Sequence, residues 1–302
     1  GAPQLSQAAP RIKPASFQQG PHSPKSLATA SPQQMQRGGN TRCSAASAAC
    51  CNRTRCNSTG NRGARALVSF LDMEKPPVLT DTVALARHRS RARRAPALFL
   101  HEDAAAELQE RLLEVNRTFT APAIVTDFPD PWLAVLPGAR VVAPEETLDL
   151  AEGAQDLVIH AMALHWANDP VGQLVQCARA LRPDGLFIAV MFGGETLTEL
   201  RAALAEAEIA ATGGLSPRVL PMGEIRDLGA LLPRAGFALP VADGVLRKVT
   251  YPDPLALLHD LRAMGEANAL DARIRHFTRP SVIAGALTRY AEAFAEPDGR
   301  VR

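Results

Sequence analysis

The sequence predicts an α/β fold built on a mostly parallel sheet, and three observations carry that prediction. The apolar run Asp156-Leu-Val-Ile-His160 leads into a polar and aromatic turn ending at Trp166, and a second apolar run ends at Phe192. Between them Asp169-Pro170 starts a helix, with a carboxylate at the cap and proline at the first helical position, and Pro183-Asp-Gly185 ends it. Such a strand, helix, strand unit makes two parallel strands, whose ligands collect beyond the carboxyl ends, where His160 to Trp166 lie. Thirdly, helical and strand-like segments alternate along the rest of the chain.

The first 72 residues carry nine Lys plus Arg against one acidic residue, Asp72, and are dominated by Ser, Gln, Pro, Gly and Asn. Such a segment has too little apolar surface to offset its ordering entropy, so a disordered tail over 1–72 and a folded domain over 73–302 are expected. Its composition fits an organellar transit peptide. It fits equally a sequence upstream of the true start, since the chain opens on Gly1 and Met73 stands just before the patterned region. The absence of an amphipathic helical period favours the second reading. Cys43, Cys50, Cys51 and Cys56 fall within 14 residues of this tail, but their spacing matches no paired zinc arrangement, so unstructured thiols are expected.

From Met73 onward there are 24 basic and 30 acidic residues, so the overall charge of +2 hides two opposite halves. A mildly acidic body argues against a nucleic-acid groove. No run approaches the ~18 apolar residues of a membrane span, so a soluble protein is expected.

The elements follow from local pattern. Arg87, Arg89, Arg91, Arg93 and Arg94 form a basic run, readable as a phosphate contact or, more commonly, as a solvated face leading into a helix. Leu108, Leu112 and Val115 place a helix over Glu102 to Asn116. Strands are expected at Ala123 to Thr126, Arg140 to Val142, Asp156 to His160 and Phe187 to Phe192. Cys177 is expected to pack as a small apolar side chain in the helix after Pro170. Helices are expected at Thr196 to Ala210 and Gly223 to Arg234, the latter closed by Gly236. Val245 to Tyr251 alternates weakly as a strand, and Asp253-Pro254 opens a helix running to about Asn268.

The blocks DLVIHAMALHW and ALRPDGLFIAVMFGG resemble the fourth strand, following helix and fifth strand of class I S-adenosylmethionine-dependent methyltransferases of the type 11 kind. The continuation FGGETLTELRAALAEAE, with GGLSPRVLPMGEIRDLGALLPRAGF, resembles the methyltransferase-like assembly factors of respiratory complex I, relatives of the malonyl-carrier-protein methyltransferases. The likeness covers roughly Thr82 to Arg302 and is specific from Asp156 to Phe237. It implies a Rossmann-like class I methyltransferase sheet, mostly parallel, with S-adenosyl-L-methionine as cofactor. It also implies a bacterial cytoplasmic or a mitochondrial matrix setting.

Two departures bear on that cofactor. The family's first strand ends in a glycine-rich turn, because only a bare backbone can approach the ligand closely, whereas this chain reads Ile124-Val-Thr-Asp-Phe-Pro-Asp-Pro-Trp132. Val141-Val-Ala-Pro-Glu-Glu-Thr-Leu-Asp-Leu150 resembles the third strand and its acidic turn, yet only the 14 residues Asp127 to Arg140 precede it. One crossover already takes a dozen residues, so the second strand and its acid are expected to be missing and the N-terminal half reduced. The chain's end, Glu296 to Arg302, resembles the lead into the last strand, so a truncated last strand, a fragment and unpaired backbone beside Phe187 to Phe192 are expected.

The resemblance implies cofactor contacts at Asp127, Glu145, His160 and Ala161, and a substrate pocket at His165 and Trp166. Each has a plainer reading: Asp127 as a turn or cap, Glu145 as a surface carboxylate, Trp166 as a packed roof with its indole nitrogen bonded. His160 and His165 lack an obvious third ligand, so no metal is expected. Gly193-Gly194 and Gly213-Gly214 are hinges of a lid or simply helix caps. The function implied is methyl transfer to a small-molecule, carrier-bound or protein acceptor from a degenerate cofactor site. The alternative is a non-catalytic, or arginine-modifying, assembly factor whose partner is a respiratory-complex subunit.

Overall fold

A computed structural model describes residues 4–6 and 78–302 of the chain. The expected disorder of the tail and its four cysteines therefore lie, apart from residues 4–6, outside the described residues. In chain order the elements are β1 (Gln4–Ser6), α1 (Thr82–Ala92), α2 (Phe99–Val115), β2 (Pro122–Val125), α3 (Asp130–Val135) and β3 (Arg140–Val142). Then come β4 (Gln155–Ala161), α4 (Pro170–Ala180), β5 (Leu181–Val190), α5 (Thr198–Thr212) and α6 (Ile225–Arg234). The last are β6 (Lys248–Thr250), α7 (Pro254–Met264) and α8 (Pro280–Ala293).

The main sheet has the order β3-β2-β4-β5 and is parallel throughout, with Ile124 opposite both Val141 and Ile159, and Ile159 opposite Ile188. Strands buried on two faces need apolar side chains in both registers, which is why β2 and β4 read as continuous apolar runs. Ile124, Leu157 and Ile159 pack with Leu108 of α2 and Trp132 of α3. Ala123, Val125 and Val158 pack on the other face with Cys177 and Ala180 of α4. Cys177 is thus the apolar filler expected, and burial pushes its thiol up to about 12. Asp169 caps α4 as expected, accepting from the Gly172 amide at 2.7 Å.

The interval between β2 and β3 holds only the six-residue α3, so the counting argument about a missing strand stands. One assignment is corrected. The segment that resembles a third strand pairs directly with β2, and so takes the slot beside the first strand. A crossover this short reaches only the neighbouring position. On the opposite side β5 is the sheet's edge among the described residues.

Other boundaries move for local reasons. β5 starts at Leu181 because Gln155 pairs with it before a register shift, and the Pro183-Asp-Gly185 turn is absorbed into that irregularity with Asp184 at φ 62°. The strand expected over 245–251 shrinks to β6, which pairs antiparallel with β1. α7 stops at Met264 because Gly265 turns left-handed at φ 81°. The sequence reading did not place α1, α3 or α8. A further apolar cluster joins Leu204 of α5, Tyr251, Leu257 of α7, Tyr290 of α8 and Val301. Among the described residues no helix is long and apolar enough to cross a membrane.

Candidate functional site

The carboxyl ends of β2 and β4 deliver the residues at issue. β2 passes into Thr126 and Asp127. β4 passes through Met162, left-handed at φ 53°, into a short 3-10 turn over Leu164–Trp166. Two distant pieces of sequence meet here. The start of α1 is fastened to the 168 position, where the Leu79 and Thr80 amides donate to Asn168 Oδ1 at 3.0 and 2.8 Å. It is also fastened to the turn after α7, where the Asp81 amide donates to the Ala269 carbonyl at 2.8 Å.

Asp127 is committed to α1. One carboxylate oxygen takes Nη1 of Arg89 and the other takes Nη2 of Arg93 at 2.8 Å. Arg89 is sealed, with 6% of its side chain exposed against 14% for Asp127 and 53% for Arg93. The reading of the basic run as a solvated face is therefore corrected at one position. Arg89 shares a helical stripe with the buried Leu85 and Ala92, and its charge is met by Asp127. That spacing, four after Leu85 and three before Ala92, was the signal available in the sequence.

His160 and Ala161 end β4 fully buried. His160 Nε2 lies 2.9 Å from Gln173 Oε1 of α4, which makes Nε2–H the donor, and Gln173 in turn donates to the Glu145 carbonyl at 2.9 Å. Nδ1 of His160 has no partner. Burial lowers its imidazole to about 4, so the ring is neutral near pH 7. The chain His160–Gln173–Glu145 ties β4, α4 and the loop after β3 together through the Glu145 backbone. The Glu145 side chain is exposed.

His165 and Trp166 do come together, around a carboxylate that the sequence reading took as part of a helix. Glu266 Oε2 accepts from Trp166 Nε1 at 2.6 Å and lies 3.1 Å from His165 Nε2. The side chains of His165 and Glu266 are only 3% and 7% exposed. The plainer reading of Trp166 matches this geometry, a packed indole with its nitrogen bonded. Burial pushes the Glu266 carboxyl up, but the His165 imidazole, the Arg89 charge and the indole N–H outweigh it and hold the group below its usual range. His165 Nδ1 is left without a partner. His101 of α2 completes the neighbourhood: it accepts from Trp132 Nε1 at 3.3 Å, and burial lowers it to about 4.

Arg89, His101, Gln173 and Glu266 are thus the residues the sequence reading missed. Glu266 was hidden because α7 was extended past Gly265. The paired glycines resolve as turn and cap positions: Gly213 closes α5 at φ 73° and the Gly194 amide bonds the Gly223 carbonyl at 2.9 Å. Open grooves lie on the outer face of α1, about 610 Å³ around Ala86 and Arg87, and along residues 273–277. Neither is lined by Asp127, His165, Trp166 or Glu266. Among the described residues no group of three His, Cys, Asp or Glu is arranged to hold a metal ion.

The sulfonium donor implied by the sequence resemblance does not fit these residues as arranged. A cradle for it needs a bare backbone turn after the first strand and free carboxylates for ribose hydroxyls. Here the turn carries Phe128, buried to 6% exposure, and Asp127 is neutralised by two guanidinium groups. Only the Glu145 carboxylate, beyond β3 in the second slot, remains open.

Residues 105–189 match the family model of the methyltransferase domain. The human mitochondrial arginine-hydroxylase NDUFAF5 is 42% identical over 166 residues, 55% of this chain and 48% of that protein. A malonyl-[acyl-carrier protein] O-methyltransferase of Halorhodospira halophila is 35% identical over 193 residues, 63% of each chain. A solved methyltransferase of Thermotoga maritima, described as a possible histamine N-methyltransferase, superposes with a TM-score of 0.37 at 14% identity, covering 56% of this chain and 93% of that one. The chain spans about half the length of the NDUFAF5 relatives it matches. With its parallel sheet, flanking helices and methyltransferase domain over residues 105–189, this chain is a class I methyltransferase-fold protein.

Proposed function

We propose that the chain is a protein-directed member of the methyltransferase fold, an assembly factor whose client is a subunit of respiratory complex I, and that it works without the sulfonium donor. The observation that carries this is the Arg89–Asp127–Arg93 clamp, which occupies the acid after β2 in a turn that has no glycine. The 42% identity with a protein named as an arginine-hydroxylase supports a protein client, and the arginine-modifying form of this reading is its chemical variant.

A second reading is methyl transfer to a small-molecule, carrier-bound or protein acceptor. The open Glu145 carboxylate beside β2 favours it, as does the likeness to an O-methyltransferase. Calorimetric titration of S-adenosylmethionine into the full chain separates the two. The assembly reading expects no saturable heat at ligand concentrations around 1 mM, where even −4 kcal/mol of binding would show. Saturable binding that is lost in Glu145→Ala would establish the second reading instead.

A further inference from the structure

We propose that Asp127 and Glu266 form a guanidinium-binding site, that Arg89 of the chain's own α1 occupies it, and that an arginine of a client protein takes its place when α1 lifts. This deepens the protein-client reading and rests on it.

Four observations lead there. The site already holds a guanidinium: Arg89 is nearly sealed from solvent and its Nη1 donates to Asp127. A second buried carboxylate, Glu266, feels the same charge. The occupant is imperfectly bonded, because Arg89 Nε is buried without a partner, whereas a guanidinium free to reorient can offer parallel N–H groups to a carboxylate. The stem is seated by a close approach. A Cβ on Gly265 would stand 3.1 Å from Arg89 Cγ and 3.3 Å from Arg89 Cα, so only glycine admits α1 this near.

The hold on α1 suits an exchangeable cover. Only Ala84, Leu85, Arg89 and Ala92 of the helix are buried, and its start is fastened through polar bonds to Asn168 and residues 268–271. Few apolar contacts make local opening easier than global unfolding. An internal arginine in such a site competes with an incoming one, so apparent affinity is lowered by the fraction of time that the site is closed.

The test uses the full chain and N-acetyl-arginine amide as probe, titrated calorimetrically into wild type, Arg89→Ala and Arg89→Gln. The expected result is binding at least about tenfold tighter in Arg89→Ala than in wild type, abolished by adding Asp127→Asn, with no binding of N-acetyl-citrulline amide or N-acetyl-lysine amide. Equal responses in wild type and both variants overturn the proposal. Tighter binding of free arginine than of the capped amide also overturns it, since the ligand would then be an amino acid and not a client side chain. If circular dichroism shows Arg89→Ala unfolded, Arg89→Gln decides on the same criterion, because its near-isosteric side chain keeps the packing. The same samples are titrated with S-adenosylmethionine. No response to either ligand overturns this site alone, whereas saturable S-adenosylmethionine binding without a guanidinium response removes the assembly reading along with it.

Discussion

At the scale of single residues, the pairing of Arg89 with Asp127 decides what the carboxyl end of the sheet can hold. Removing one partner of a buried pair strands the other charge, so Arg89→Gln and Asp127→Asn should each destabilise the fold by about 3 kcal/mol in urea unfolding. The double variant should lose clearly less than the sum. Arg93→Ala, whose guanidinium is largely exposed, should change stability by under ~1 kcal/mol. The two buried histidines give a pH signature. His101 and His160 are lowered by burial to about 4, below the ordinary value of 6.5. Between those values the unfolded chain binds protons that the folded chain does not, so stability is complete above pH 6.5 and falls progressively as pH drops toward about 4. Thermal unfolding from pH 7 to 4.5 should show this slope, and His160→Gln should flatten it. An unchanged slope in His160→Gln would mean that the ring is hydrated in solution.

At the scale of elements, caps and close approaches set the boundaries that position these residues. Asp169→Ala removes the bond to the Gly172 amide and should cost α4 about 1 kcal/mol, read as a lower urea midpoint with unchanged slope. The strand, helix, strand unit around Asp169 was legible in the sequence because every signal agreed: an apolar run, a cap with proline, and a glycine turn. The elements that escaped are those where tertiary contact outweighs local pattern. α1 carries a stripe with an arginine in it, and nothing in the local sequence says that Asp127, 38 residues on, neutralises that charge. α3 has two prolines flanking its start and only six residues, too short to show a period. The same limit applies to the site. Asp127, His165 and Trp166 were legible as polar and aromatic residues at strand ends, while Glu266 was not, because its role depends on a partner 100 residues away.

At the scale of the whole molecule, the site end of the sheet is closed by two segments that the chain separates widely, 79–92 and 265–271. They bond each other directly: the Asp81 amide to the Ala269 carbonyl at 2.8 Å, the Asp271 amide to the Leu79 carbonyl at 2.9 Å, and His88 Nε2 within 3.3 Å of the Asn268 carbonyl. Asn168 anchors the first segment through three further bonds, two from amides and one to the Thr80 carbonyl at 3.1 Å. Segments joined this way should open as one cooperative unit, at lower free energy than the apolar sheet beneath. Asn168→Ala should therefore speed hydrogen exchange at amides of both segments together, including those of 268–271 that the substitution does not touch. Exchange in β4, whose strands are buried on both faces, should stay at its wild-type rate. Faster exchange confined to residues 79 and 80 would show that the two segments are merely adjacent. Equal acceleration in β4 would show that the closure cannot loosen without the sheet, and that no arginine from outside could enter while the fold persists.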